Sequence, residues 1–467
     1  MKKFRLFTMT WLAMLLVSAT TSVFSAKVGT FGGNGIPLPD NPPDSKAPVS
    51  SSVNWNEVKP AGDIDELWQT SGISADGQTI LVGTYEGRLY LTTDGGMNWA
   101  ETQPAGDTDI LWNCVTVSGD GLTMLAGIEG GRLYLSADGG NNWSEKQPAG
   151  DNDQLWISLA VSFDGTTILI SCDGNNSMYL STDQGLSWKT TGYDTPDPVP
   201  YTWVSMSSNG NYMLATNQNE YIFISGNGGE TWVSVDVALD WWEWVSASMS
   251  ADGSTMIAAT LNDNQSNGRV FISTDYGVNW TETQPYGDND LDWLRVAISG
   301  DGSVMLAGMD DGALFISTDK GGNWSETKPD GHNYDEWRTI SVASNGIDLL
   351  AGIYDGRLYK GIITAPPNVI FGQTPVFDQI TFNSAHTKGE ITSTNGADAT
   401  NVGGIIYTYT NTDKSIGDTG VTQEDSTGTF GTGEFPVSFT GLSANTRYNA
   451  RIYATNSAGT GYSARSD

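Results

Sequence analysis

Seven tryptophans, Trp55, Trp99, Trp143, Trp188, Trp232, Trp280 and Trp324, recur at intervals of 44 to 48 residues. A period of that length means that one supersecondary unit has been copied along the chain, each copy able to bury its apolar face only against its neighbours. The last six tryptophans close the same octet: Thr92-Asp94-Gly96-Trp99, Ser136-Asp138-Gly140-Trp143, Ser181-Asp183-Gly185-Trp188, Ser225-Asn227-Gly229-Trp232, Ser273-Asp275-Gly277-Trp280 and Ser317-Asp319-Gly321-Trp324. A hydroxyl and a carboxylate two residues apart can accept the backbone N–H groups of a tight turn. The glycine supplies positive φ, and the indole folds back across the hairpin. Asn227 can cap the same turn, and six copies around a repeat assign Asp94, Asp138, Asp183, Asn227, Asp275 and Asp319 to scaffold rather than to catalysis or metal binding.

Between octets the unit is a meander of short strands. Residues 67–103 read as a strand opening at Leu67-Trp68, a turn at Asp76-Gly77, strands over 79–84 and 88–93, the octet turn, and a last strand from Trp99. The Asp-Gly or Asn-Gly turn returns at residues 120, 164, 209, 252, 301 and 345. The final unit stops after Gly356-Arg357-Leu358-Tyr359, without an octet, while Val53 to Lys59 is a fourth strand lacking its first three. Joining the two closes a ring and leaves no exposed edge. The expected fold is all-β: a seven-bladed β-propeller over residues 51–361, closed by its N-terminal strand. The octet resembles the Asp-box of sialidases, sortilin-type receptors, xyloglucan-degrading propellers and photosystem assembly factors, over about two thirds of the chain. That resemblance specifies the fold far more than any activity.

The ends of the chain read differently. Residues 1–25, with Lys2, Lys3 and Arg5 before an apolar stretch at 11–17, have the pattern of a secretory signal peptide, and 26–50 that of a flexible Pro/Gly/Ser-rich leader. Secretion or display at the cell surface is therefore expected, with no membrane span in the mature protein. Residues 362–371 read as a linker. Over 372–467 the alternation continues, and Leu442 through Tyr448 to Gly459 resembles the end of bacterial fibronectin type III modules, in which Tyr448 would pack at a strand corner and the module would act as a spacer.

Charge limits the partners. Fifty-four acidic against 22 basic residues give a net charge of −32, and the excess is concentrated over 51–365, with 43 acids to 12 bases. Such a field excludes nucleic acid and anionic membranes. The acids cluster in two loop sets on one face of the expected ring, among them Asp63, Asp65, Asp107, Asp109, Asp151 and Asp153, with Arg88, Arg132, Arg269 and Arg357 placed to pair with them. Cys114 and Cys172 read as two buried thiols or a disulfide, and two histidines cannot make a His-based zinc site. No cofactor is implied. Asp288-Asn289-Asp290-Leu291-Asp292 runs into Trp293 where a calcium loop of the EF type needs glycine, leaving a calcium ion on the acidic face as the single option.

Two functions remain open. The first is a monomeric, non-catalytic binding or scaffold protein that recognises a glycan, peptide or extracellular protein through the acidic face. Its candidate patch lies where the repeat is broken, at Asp240-Trp241-Trp242-Glu243, with Asp290 and Asp292 of the next blade across the same rim. Indole faces beside carboxylates suit sugar recognition, whereas the alternative for both rings is packing between blades. The second is a glycoside hydrolase of the sialidase or xyloglucanase kind. Against it, the sialidase Arg-Ile-Pro start is absent, and strict alternation puts Arg295 and Arg338 on opposite sides of neighbouring strands.

Overall fold

A computed structural model describes residues 52–173, 178–193, 201–217, 221–237, 243–261, 268–287, 291–310, 312–331, 335–364, 368–371, 377–378, 384–394, 397–410, 413–443 and 446–463. The expected signal peptide and leader lie outside them. The described residues form strands and turns with no helix, and so none long and apolar enough to cross a membrane.

Strand β1 is Ser52–Val58. Four antiparallel strands follow as β2–β5 (Glu66–Ile73, Ile80–Thr84, Leu89–Thr92, Ala100–Thr102). The pattern repeats as β6–β9 (Trp112–Val117, Met124–Ile128, Leu133–Ser136, Ser144–Lys146) and β10–β13 (Leu155–Val161, Ile168–Asp173, Met178–Ser181, Lys189–Thr191). It continues as β14–β17 (Tyr201–Met206, Met213–Asn217, Tyr221–Ser225, Val233–Asp236) and β18–β21 (Trp244–Met249, Met256–Thr260, Val270–Ser273, Thr281–Thr283). The next group is β22–β25 (Trp293–Ile298, Met305–Met309, Leu314–Ser317, Ser325–Thr327). Three strands, β26–β28 (Trp337–Val342, Asp348–Gly356, Leu358–Thr364), then take β1 as their fourth, with Trp55 opposite Gly361. The first strands pack side by side in a closed circuit, β2–β6–β10–β14–β18–β22–β26 and back to β2. This is a propeller-like arrangement of four-stranded sheets.

The circuit is stitched by hydrogen bonds between units. At the turn after each first strand, backbone N–H groups donate to the next turn: Ala75 to Gly119, Asp120 to Phe163, Phe163 to Ser208, Ser208 to Ala251, Ala251 to Gly300, Gly300 to Ser344, and Asn345 back to Ala75, at 2.8–3.1 Å. Each first strand except β14 carries, at or near its start, a tryptophan that is at most 2 % exposed; Tyr201 takes that place in β14. The indole N–H groups of Trp68, Trp156 and Trp337 donate to the carbonyls of Gly356, Gly131 and Gly312 in the preceding units. Apolar clusters lie between consecutive sheets, such as Leu81, Leu89, Trp112, Val115 and Met124.

The seam has its own chemistry. In the complete units from β2–β5 to β18–β21 a Leu or Ile of the third strand, Leu91 for instance, lies under the octet glycine of the next unit, where a Cβ on Gly140 would sit 2.4 Å from Leu91 Cδ2. Gly140 also holds φ +85, so no other residue fits there without strain. At the seam this position is Lys360, 7 % exposed. Its Nζ reaches Asp348 Oδ1 at 2.8 Å and donates to the carbonyls of Gly95 (3.3 Å) and Gly77 (3.5 Å), tying β28 to the first unit.

Eight further strands, β29–β36 (Asn368–Phe371, Phe377–Asp378, Ala385–Ser393, Ala399–Thr408, Val421–Phe430, Gly433–Phe439, Tyr448–Asn456, Gly459–Tyr462), form two four-stranded sheets. In one, β29, β30 and β34 pair with β31; the other has the order β33-β32-β35-β36. Ile391, Phe435, Val437 and Phe439 of the first pack with Val402, Ile406 and Ile452 of the second. The Tyr448 hydroxyl accepts the Ser443 N–H at 2.9 Å.

Breaking the Lys360–Asp348 pair from one side strands a desolvated carboxylate. Lys360→Met is therefore expected to cost about 3–5 kcal/mol in denaturant unfolding. Lys360→Leu combined with Asp348→Thr, the residues found at the matching positions Leu91 and Thr79, should recover most of it.

Candidate functional site

The octet turns have the geometry of a self-contained hydrogen-bonded cap. In the second unit Ser136 Oγ donates to Asp138 Oδ1 (2.8 Å) and accepts the Gly140 N–H (2.9 Å), while Asp138 accepts the backbone and side-chain N–H groups of Asn142 (2.9 and 2.6 Å). Asp94, Asp183, Asp275 and Asp319 make the same pattern with Asn98, Ser187, Asn279 and Asn323. Asn227 reproduces it without charge, accepting the Thr231 N–H at 3.0 Å and donating to the Thr231 hydroxyl at 2.9 Å. These bonds hold Asp94 down at about 2, chiefly through the Asn98 side chain and backbone, and Asp183 likewise through Ser187. The tryptophans work between units as well. Trp143, Trp232, Trp324 and Trp55 donate to the hydroxyls of Thr102, Thr191, Thr283 and Thr327 on the previous fourth strand, at 2.7–2.9 Å.

On the opposite face the acids are gathered by arginines. Arg88 binds Asp107 (2.7 Å), Asp109 (2.8 Å) and Glu101 (3.2 Å). Arg132 does the same with Asp151, Asp153 and Glu145, and Arg357 with Asp63, Asp65 and Glu57. Each arginine opens a third strand and clamps the following connection, so the Gly-Asp-x-Asp loops form a fixed rim. Three carboxylates to one guanidinium leave that rim negative.

Of the patch expected from sequence, Asp240, Trp241, Trp242 and Asp290 lie outside the described residues. Glu243 and Asp292 occupy equivalent places one residue before Trp244 and Trp293, and their carbonyls accept the N–H groups of Leu261 (3.1 Å) and Asp310 (2.8 Å). Among the described residues no group of three or more His, Cys, Asp or Glu side chains is placed to hold a metal ion. Cys114 and Cys172 are buried free thiols. A groove of about 290 Å³ lies between two octet turns, but its acids are already engaged, Asp275 in its turn and Glu282 with Arg269.

The channel end of the rim holds groups that the sequence reading set aside. Every first strand carries a β-bulge just after its buried Trp or Tyr, including Trp293/Arg295 and Trp337/Thr339. The bulge breaks strict alternation, so the expectation that Arg295 and Arg338 point apart fails. They are near enough that Arg338, after burial, helps push the Arg295 guanidinium down to about 10. Arg295 Cζ lies 4.9 Å from the Trp203 ring, and Arg338 Cζ 5.2 Å from the Tyr354 ring. Arg338 Nε also donates to the Glu336 carboxylate. Nearby, burial and then a hydrogen bond with Glu129 push the Tyr85 phenol up to about 12. The available signal in the sequence was loss of the repeat: Arg295 stands where other first strands carry Thr70, Cys114, Ser158 or Ser246.

With this geometry in place, the chain is a β-propeller of the Asp-box kind. A family model described as "Sortilin, neurotensin receptor 3" (Sortilin-Vps10) matches residues 131–269. Among solved structures, YCF48 from Cyanidioschyzon merolae is similar at a TM-score of 0.51 and 15% identity, over 66% of this chain and 98% of that one. A structure of YCF48 bound to D1 peptide is similar at 0.50 and 14%, over 66% and 96%. No curated protein matches the chain.

Ser136 is fully buried, so Ser136→Ala should lower stability by about 1–3 kcal/mol by orphaning the Gly140 N–H, while Asp138→Asn should melt close to the parent protein, as Asn227 already does this work. The depressed Asp94 and Asp183 acidities stabilise the fold above the ordinary carboxylate value of 3.8, and this contribution is lost as pH falls from there through about 2. An Asp94→Asn, Asp183→Asn double variant should therefore show a shallower acid limb in melting temperature against pH over that range.

Proposed function

We propose that this chain is an exported, non-catalytic binding or scaffold protein: a seven-bladed propeller that engages a peptide or protein partner at its acidic rim and channel mouth, carried on a fibronectin type III-like spacer. The seam made by β1 and the closed circuit of first strands support seven blades. Two sheets over one core, with the Tyr448 hydroxyl at a corner, support the spacer assignment. Export rests on the pattern of residues 1–25.

The observation that carries the binding role is the rim. Its carboxylates are held in place by Arg88, Arg132 and Arg357, giving a preorganised negative surface around an opening lined by Trp203, Arg295, Arg338 and Tyr354. Such a surface suits an extended ligand with basic groups. The similarity to sortilin, and to a propeller whose structure contains a bound peptide, supports a peptide or protein above a glycan.

One observation favours the second reading, a glycoside hydrolase. Burial, with Asp109 nearby, raises the Glu66 carboxyl from its ordinary value, the direction in which a general acid is tuned.

Panning the full chain against a random peptide library and a glycan array tests both. The expected result is enrichment of Lys- or Arg-containing peptides, bound more weakly as salt rises and lost on changing Asp107, Asp109, Asp151 and Asp153 together to Asn. Enrichment of glycans alone would overturn the peptide reading. Hydrolysis of a glycoside that stops in Glu66→Gln would replace it with the enzymatic one.

A further inference from the structure

Tyr221 opens β16 at the place where Arg88, Arg132, Arg269 and Arg357 open their third strands. The backbone shows the equivalence: the Tyr221 N–H donates to Asn217 Oδ1 at 3.1 Å, as those of Arg88 and Arg269 donate to the hydroxyls of Thr84 and Thr260 at 2.8 Å. Tyr193 departs from the repeat as well. It lies five residues after its repeat tryptophan, where Pro60, Pro104, Pro148, Pro285 and Pro329 stand in five other units. Both tyrosines pack on Phe223, with ring centroids 5.3 Å (Tyr193) and 6.2 Å (Tyr221) from it, and Tyr201 adds a further ring at 5.4 Å. The Tyr201 hydroxyl accepts the Tyr193 N–H at 2.8 Å, which fixes that segment against the cluster.

Phe223 and Tyr201 are core residues, each 1 % exposed, whereas Tyr193 is 37 % and Tyr221 39 % exposed. The core requires neither outer ring, because other units close with proline and arginine at these positions. At this sector the rim therefore lacks the guanidinium that four other third strands supply, and offers ring faces in its place. Ser234 stands where Glu101 does, two residues after the octet tryptophan, so the fourth-strand carboxylate of the arginine clamps is missing here too. A tyrosine face attracts a cation through its quadrupole, and the field of a strongly acidic ring adds to that attraction while opposing anions. A guanidinium is flat and more weakly hydrated than an ammonium, so it stacks on a ring at a smaller desolvation cost. The chain makes this contact internally, with Arg447 Cζ 3.8 Å from the ring of the exposed Tyr409.

We propose that Tyr193 and Tyr221 form a guanidinium-binding subsite on the rim, which takes an arginine side chain of a peptide partner where other units supply an arginine of their own. The proposal rests on the reading of the acidic rim as a binding surface. Phe223 and Tyr201 hold the two outer rings in place. The sectors of Arg88, Arg132 and Arg357 already carry their own cation, so an external guanidinium is admitted here and not there.

N-acetyl-arginine amide and its neutral isostere N-acetyl-citrulline amide are the probes, titrated calorimetrically into the full chain. The arginine amide is expected to bind about threefold to thirtyfold more tightly than the citrulline amide, with N-acetyl-lysine amide between them. Tyr193→Leu combined with Tyr221→Leu should remove the preference, whereas Tyr221→Phe, which keeps the ring face, should retain it. Should the double variant fail to fold, Tyr221→Arg restores the residue of four other units, fills the place from within and should remove the preference as well. Equal or undetectable binding of the arginine and citrulline amides overturns the subsite. So does a preference that survives the double variant or Tyr221→Arg, one that is lost in Tyr221→Phe, or lysine binding as tightly as arginine. A glycan whose binding is lost in the double variant, with no preference for arginine, overturns it in favour of a sugar. Arginine-containing peptides separate the subsite from the rim reading. Peptides bound equally by the parent and the double variant, but lost when Asp107, Asp109, Asp151 and Asp153 become Asn, remove the subsite and leave the rim standing. Peptides lost only in the double variant do the reverse.

Discussion

The hydrogen bonds that run from turn to turn around the inner circuit decide what this chain can be. Ala75 needs the carbonyl of Gly119, Ser208 that of Ala251, and Asn345 that of Ala75. Each turn donates to the next, so a unit taken alone lacks the acceptor for this N–H, and an open array lacks it at one end. The contacts are head-to-tail, and head-to-tail contacts either propagate or close. Here they close, because residues from the two ends of the domain complete one sheet. Side chains follow the same logic on the channel side, where Thr70, Ser158, Ser205 and Ser246 accept the backbone N–H groups of Val115, Val204, Met249 and Val296.

Closure also explains why the last sheet departs from the others. From β4 through β20 the Leu or Ile of a third strand is covered by the octet glycine of the next unit, and Trp143, Trp232 and Trp324 dock on the preceding unit. After β28 no octet follows, and Gly361 takes the place of the octet hydroxyl residue. A Cβ there would sit 2.7 Å from the Trp55 ring, so the glycine lets β1 lie flat against β28. Trp55 then reaches Thr327 as Trp324 reaches Thr283. Lys360 replaces the buried aliphatic with a charge that only Asp348 and two first-unit carbonyls can satisfy. That arrangement specifies one pairing at the seam, where an apolar contact would accept several.

The fold was legible because its determinants repeat. Six octets in register, the Asp-Gly turns and the orphan strand around Trp55 announced the turns, the strands and the way the ring shuts. The pairing of Arg88, Arg132 and Arg357 with the Gly-Asp-x-Asp acids followed from the same regularity. What the sequence hid was local and singular. A β-bulge just after the buried Trp or Tyr of every inner strand defeats period-two counting, and this misplaced Arg295 relative to Arg338. Trp203 was passed over because the ring position it faces is set by strands two units apart, a relation no linear spacing shows. The broken repeat at Asp240 to Glu243 drew attention away from equally clear departures in the inner strands.

Repetition and singularity thus sort the charged groups of this protein. An arginine that recurs at the head of a third strand and finds its carboxylates each time is part of the rim's construction, and its exposed partners contribute little to stability individually. Arg295 and Arg338 recur nowhere, stand where neutral side chains serve the other strands, and add positive charge on the inner strands of a strongly acidic ring. Long-range attraction from that ring stabilises them only partly, because Arg295 is desolvated and Arg338 repels it. Arg295 and Arg338 instead stand together between Trp203 and Tyr354, held by ring faces and by Glu336 rather than by the acids of the rim.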